Sequence, residues 1–175
     1  KHFNQIIDFD SKAKKIVVQP GMVRDDLNDF LAPYQLFFGP NTSTSNRCTI
    51  GGMTGNNSSG TTSIKFGVTR DKVLALECVL YDGSVVTFED LTVEQYREKE
   101  KQQNLEGDIY RFIVEKLSDP LHQENIRIEY PQASVHRRNS GYALDALLDN
   151  FVHPSSPVIN LSKLLTVSEG SLAFV

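Results

Sequence analysis

Residues 39–70, GPNTSTSNRCTIGGMTGNNSSGTTSIKFGVTR, form a stretch too long and too glycine-rich for an ordinary connection between two elements. Gly51, Gly52, Gly55, Gly60 and Gly67 cluster in it. Glycine lets a backbone approach another body closely, so such clustering aims N–H groups inward at a ligand. The stretch holds no Asp or Glu but does hold Arg47, Lys65 and Arg70, in a chain of net charge −4. An anion is therefore the expected ligand. The hydroxyls and amides of residues 42–45, 56–59 and 61–63 supply the donors and acceptors that a phosphorylated molecule needs. A flexible linker would need no apolar anchors, whereas Ile50, Met53, Ile64, Phe66 and Val68 are spaced as anchors here.

Working outward, the 175 residues are long enough for one domain with a real core, and 39% apolar with 23% charged residues is an ordinary globular balance. The acidic balance argues against a nucleic-acid surface, and no apolar tract is long enough to span a membrane. Half of the 22 acidic residues fall between Glu89 and Glu129, which reads as a solvated flank. Two cysteines, Cys48 and Cys78, have neither metal-site nor disulfide spacing, so a reduced, cytoplasmic setting is expected. The chain begins at Lys1 without an initiator Met and stops within an apolar run, and so reads as a piece of something longer.

Ile6 to Val18 has the pattern of a hairpin, and Val23, Leu27, Phe30 and Leu31 repeat at helical spacing with Asp25 and Asp26 near the amino end. Two β runs, Val73 to Tyr81 and Ser84 to Phe88, flank Asp82-Gly83, a strong hairpin signal. Thr92 to Gln95 has capping-box spacing and opens a charged helix, with Gly107 closing that unit. Ile109, Phe112, Ile113 and Leu117 predict a second helix; Ile126, Ile128 and Tyr130 fit either a strand or a helix. Leu144, Leu147 and Leu148 predict a last helix, and Leu172 to Val175 a strand. The helical pattern over 89–130, interrupting strand-rich flanks, reads as a helical insertion or layer.

Common nucleotide motifs fail. Gly55 to Gly60 has P-loop glycine spacing, but position 61 is Thr where the phosphate-binding Lys must stand. Gly51-Gly52-Met-Thr-Gly55 lacks the dinucleotide-fold spacing and carries no helical pattern after it. There is no G-x-S-x-G elbow, and His2, His122, His136 and His153 make no metal pair, so no metal is expected. A long backbone cradle for a diphosphate-containing cofactor remains.

Val18-Gln-Pro-Gly21 with Leu27-Asn28, Gly39-Pro40-Asn41-Thr-Ser-Thr44, Thr49-Ile-Gly-Gly52, Gly55 to Gly60, Ser63-Ile-Lys-Phe-Gly67 and Leu80-Tyr-Asp-Gly83 stand in the order found in one family. In this order they resemble the FAD-linked oxidases of the vanillyl-alcohol-oxidase type, whose FAD-binding domain is called PCMH-type. Within these they most resemble the branch of D-lactate and D-2-hydroxyglutarate dehydrogenases and the glycolate oxidase flavin subunit. Arg138-Asn139-Ser-Gly141-Tyr142-Ala-Leu144 and Leu164 to Leu172, with its Ser168-Glu169-Gly170 core, resemble two further family segments. Val167 stands where the family usually has Gly and Arg138 where it has Lys.

The resemblance implies an α+β fold, the second subdomain of a PCMH-type FAD-binding domain, with a mixed or antiparallel sheet and flanking helices. It implies FAD as cofactor and a small D-2-hydroxy acid as substrate of the parent enzyme, with hydride transfer to the flavin. It places Pro40, Thr42, Ser43 and Thr44 along the flavin or ribityl edge, and Thr49, Gly51, Gly52, Asn56, Ser59, Gly60 and Gly67 on the diphosphate and adenosine side. Glu169 and Gly170 would close the site. Asn56 and Asn57 are both candidates to face the ligand. The family's first pyrophosphate loop, its substrate domain and the iron–sulphur domain of long members lie outside these residues, so weak FAD binding by the isolated chain is expected. No catalytic residue is identifiable; only Arg137, Arg138 and Asn139 are candidates to meet a substrate carboxylate. A peripheral position at the inner membrane face is the alternative to a free cytoplasmic one. A cofactor-free interaction module using 89–129 as its surface is the competing reading.

Overall fold

A computed structural model describes residues 2–132, 134, 135, 137, 141–152 and 158–175. The expected hairpin is β1 (Ile6–Asp10) against β2 (Lys15–Val18), antiparallel with Phe9 opposite Ile16. Its turn is closed by Asp10, whose Oδ1 accepts the N–H groups of Lys12 and Ala13 at 2.9 Å, the local bond that suits Asp to turns. Helix α1 (Arg24–Leu31) lies on this hairpin. Phe9 meets Phe30 and Tyr34 edge-on at 5.3 and 4.7 Å, and Met22, Leu27 and Leu31 are the buried residues beneath.

The second hairpin pairs β3 (Leu76–Val79) with β4 (Val85–Phe88) through Asp82-Gly83, with Gly83 at φ +84°, where an L-residue would be strained. A third pair is only two residues long: β5 (Leu91–Thr92) meets β6 (Val158–Ile159). The fold is thus α+β, and among the described residues every pair in the three small sheets is antiparallel. The C-terminal strand expected over 172–175 is reduced to a single bridge between Phe174 and Val79.

Between them stand α4 (Val93–Glu100), α5 (Leu105–Ser118) and α6 (Pro120–Glu129). The capping box is formed in full: Gln95 N donates to Thr92 Oγ1 and Thr92 N donates to Gln95 Oε1. Gly107 does not end this unit. It lies in the first turn of α5, capped by Asn104 Oδ1, where an added Cβ would sit 2.1 Å from the Gln102 carbonyl oxygen. The ambiguous segment is helical from Ile126 to Glu129, with Tyr130 the extended C-cap, because Asp119 caps Leu121 N and Pro120 takes the first turn, two start signals that the apolar spacing alone did not show. Tyr96, Tyr110, Ile113, Leu117 and Ile126 from these helices join Cys78, Val86 and Phe88 of the second hairpin in the main core. Helix α7 (Leu144–Val152) adds Leu147 and Leu148, and the short α8 (Ser162–Leu165) adds Leu165. Among the described residues no helix is long and apolar enough to cross a membrane.

Candidate functional site

The amino end of α1 sets the entry to the glycine-rich stretch. Asn28 Oδ1 accepts Phe38 N at 2.7 Å, and Arg24 donates from Nε to the Pro40 carbonyl at 2.8 Å. Asp25 pairs with Arg24 at 3.0 Å and accepts the Ser45 hydroxyl at 2.9 Å. Arg24 and Asn28 therefore shape residues 38–40, a role that no sequence pattern had assigned to Arg24. Beyond it Thr42 Oγ1 lies 3.4 Å from Thr44 Oγ1 and 3.2 Å from Cys48 Sγ.

A helix occupies part of the stretch where none was expected: α2 (Ile50–Gly55). The Thr49 hydroxyl caps it by accepting Gly52 N at 3.2 Å, so Thr49 builds the helix end first. Gly51 is likewise structural, since an added Cβ would lie 2.5 Å from Pro20 Cβ. Gly52 is exposed, and only Thr49 Oγ1 stands near its Cβ position. The structure separates the two asparagines. Asn57 is fully buried at φ +50° with Oδ1 accepting Arg70 N at 2.9 Å, while Asn56 is exposed and accepts the Ser58 hydroxyl at 2.6 Å. Asn57 holds the scaffold; the Asn56 side chain is open to solvent.

Two backbone segments cross at Gly60. An added Cβ there would come within 2.0 Å of the Asn41 carbonyl oxygen, and Thr62 Oγ1 donates to the Gly39 carbonyl at 3.1 Å. Segments 39–44 and 59–62 are thereby brought together. Among the described residues the backbone N–H groups of Thr42, Ser43, Thr61 and Thr62 donate no hydrogen bond. Helix α3 (Ser63–Phe66) follows, and Gly67 leaves it at φ +77°, its Cβ position 2.4 Å from Asp71 Oδ2. Of the five expected anchors, Met53 and Val68 are buried, and Phe66 meets Phe37 edge-on at 5.0 Å. Ile64 anchors nothing: it is 96% exposed.

The tail docks on the carboxyl end of α2. Val167 N donates to the Thr54 carbonyl at 3.1 Å, a second donor there beside Asn57 N, and Glu169 N donates at 2.8 Å to the Gly55 carbonyl, which the end of the helix leaves open. Glu169 at φ +51° and Gly170 at φ +76° make a left-handed turn, exposed at the surface. Val167 sits at φ +97°, a conformation rare for a β-branched residue. Glycine there would be unstrained, which matches the residue usual at this place in the resembling family. We expect Val167→Gly to be more stable than Val167→Ala by about 1–2 kcal/mol, because both lose the buried methyls but only glycine escapes the left-handed penalty. Urea unfolding of the two variants measures the order, and a more stable alanine variant would contradict the strain.

From the far side Arg137 donates from Nε to Ser59 Oγ at 2.9 Å, while Arg138 and Asn139 lie outside the described residues. Cys78, Tyr96 and Tyr110, whose protons burial holds, sit in the main core rather than here. Among the described residues no cluster of His, Cys, Asp and Glu could hold a metal. An open recess of about 540 Å³ lined by His2, Phe3, Asn4, Gln5 and Gln19 includes none of the candidate residues. What the site offers is a set of backbone N–H groups and hydroxyls, suited to holding an anionic cofactor.

Known proteins agree with that chemistry. A family model described as FAD binding domain matches residues 1–89. The chain is 32% identical over 176 aligned residues to D-2-hydroxyglutarate dehydrogenase of Escherichia coli (strain K12), covering all of this chain and 16% of that protein. It is 35% identical to the protein of the same name from Haemophilus influenzae, again over all of this chain and 17% of the relative. Glycolate oxidase subunit GlcD of Bacillus subtilis is 40% identical over 86 residues, which cover 49% of this chain and 18% of the subunit. The chain thus spans about a sixth of the length of these relatives.

Proposed function

Because this chain belongs to the FAD-binding domain family, we propose that it supplies one wall of the FAD site in a flavoprotein that oxidises a D-2-hydroxy acid. The observation that carries the reading is the crossing at Gly60, which joins segments 39–44 and 59–62 and leaves unpaired N–H groups on both. Those of Thr61 and Thr62 suit the diphosphate, since bonds to a charged acceptor are about twice as strong as neutral ones, and those of Thr42 and Ser43 suit the polar ribityl and flavin edge beside it. Pro40, Thr42, Ser43 and Thr44 take the flavin and ribityl edge. Gly52, Asn56, Ser59, Gly60 and Gly67 take the diphosphate and adenosine side, and Glu169 with Gly170 closes it. Thr49 and Gly51 contribute by building and seating α2. FAD, when bound, accepts the hydride from the carbon that carries the substrate hydroxyl.

Between branches of the family, the extent of similarity favours the hydroxyglutarate type. The two D-2-hydroxyglutarate dehydrogenases align with the whole chain, helices α4 to α6 included, whereas the glycolate oxidase subunit aligns with about half. The helical layer over 89–130 is then a feature shared with that branch. Substrate-binding groups, and an iron–sulphur cluster where one is carried, belong to other parts of the full-length protein, which we place in the cytoplasm or peripherally at its membrane face. The test is purification of the full-length protein, a flavin absorbance scan, and dye reduction with D- and L-2-hydroxyglutarate, D-lactate and glycolate. We expect bound FAD and turnover with the D-2-hydroxyglutarate. A flavin-free protein, inactive with every 2-hydroxy acid, would end the proposal.

A further inference from the structure

The geometry points to Arg137 as a phosphate-binding arm of the FAD site, an inference that rests on the proposed function and adds to it a residue from outside the glycine-rich stretch. Arg137 lies between α6 and α7, 78 residues from Ser59 in sequence, yet its Nε donates to Ser59 Oγ at 2.9 Å. That bond uses one edge of the guanidinium. Nη1 and Nη2 have no hydrogen-bond or ion-pair partner among the described residues, although a planar fork of this kind pairs well with two oxygens of one anion. The surroundings favour an anion as that partner. Ser59 adjoins Gly60, Thr61 and Thr62, and no acid occurs anywhere from Gly39 to Arg70 to neutralise the arm. A tethered guanidinium beside unpaired backbone N–H groups is the chemistry that recognises a diphosphate.

A substrate carboxylate is the competing anion, and the two predict different losses. In the full-length protein we expect Arg137→Gln to raise the FAD dissociation constant about tenfold, equivalent to about 1.4 kcal/mol, and to flatten its dependence on salt. The KM for D-2-hydroxyglutarate, measured at saturating FAD, should not move. Arg137→Lys keeps the charge but loses the fork and should recover part of the affinity, between Arg137→Gln and wild type, which a purely structural role would not explain. Ser59→Ala keeps the arm but frees it, and should weaken FAD by less than Arg137→Gln does. Unchanged FAD affinity in Arg137→Gln overturns the inference, as does a rise in KM alone, which would assign the arm to the substrate. If Arg137→Gln does not fold, the pair Arg137→Lys and Ser59→Ala decides: full FAD affinity in both overturns it. A wild-type protein that takes no flavin fails the proposed function itself, and the arm falls with it.

Discussion

Replacing Gly60 with alanine in the full-length protein is expected to weaken FAD binding roughly 10- to 100-fold. The added Cβ would stand 2.0 Å from the Asn41 carbonyl oxygen, far inside contact distance, and that atom is main chain. It cannot swing aside as a side-chain tip would. The Asn41 segment is held just before that residue, by Arg24 Nε on the Pro40 carbonyl and by the Thr62 hydroxyl on the Gly39 carbonyl. Segments 39–44 and 59–62 must therefore part by about the missing ångström, and their N–H groups can no longer meet the ribityl edge and the diphosphate of one FAD. One hydrogen bond to a charged acceptor contributes roughly 1.5–3 kcal/mol, which is the stated loss at about 1.4 kcal/mol per decade. Flavin fluorescence during FAD titration of the apoprotein measures it. Wild-type affinity in Gly60→Ala would mean that the crossing does not shape the site.

Alkaline pH should unfold the chain steeply, beginning near pH 9. Burial, helped by Glu77, pushes the Cys78 thiol up from its ordinary 9.0 to about 11. Burial also raises Tyr96 and Tyr110 well above the usual tyrosine range, with the carboxylates of Glu100 and Glu106 adding to it. The sign follows from proton counting. Above pH 9 for Cys78, and above pH 10 for the tyrosines, the unfolded chain releases protons that the folded chain keeps, so stability falls as pH rises. At about 1.4 kcal/mol per unit per group, the loss by about pH 11 is on the order of 5 kcal/mol, comparable with the whole stability of many domains. Lys163 opposes it weakly: burial lowers its pKa, so its contribution to stability rises as pH approaches the ordinary lysine range. Urea unfolding at pH 8 and 11 measures the loss, and Tyr96→Phe should remove about a third of the slope above about pH 10. A flat profile from pH 8 to 11 would contradict the burial of these groups.

Much of this architecture was legible in sequence, and the exceptions have physical causes. The hairpin at Asp82-Gly83 and the capping box at Thr92 were readable because each is fixed by residues within a few positions of one another. Helix α2 was hidden because only Ile50 and Met53 mark an apolar side, and its start depends on the Thr49 hydroxyl and its seat on Pro20. Asn56 and Asn57 are chemically identical neighbours. What separates them is the bond from Arg70 N to Asn57 Oδ1, thirteen residues away, which local pattern does not encode. Ile64 has the hydropathy and spacing of an anchor but points from a four-residue helix too short to present a face to the core. The docking of Val167 and Glu169 on α2, and of Arg137 on Ser59, are contacts between distant segments. A family resemblance marked position 167 as one usually occupied by glycine, which matches the positive φ found there but says nothing of what the tail docks on.

The most direct test of FAD binding by the glycine-rich stretch is amide hydrogen exchange of the full-length protein, measured by mass spectrometry with and without FAD. Exposed, unbonded N–H groups exchange through little or no opening, and those that bind phosphate become protected. We predict slower exchange on adding FAD in peptides covering 39–47 and 56–67, with α5 and α6 unchanged. Protection confined to other parts of the protein, with exchange over 39–67 unaffected, would contradict the account.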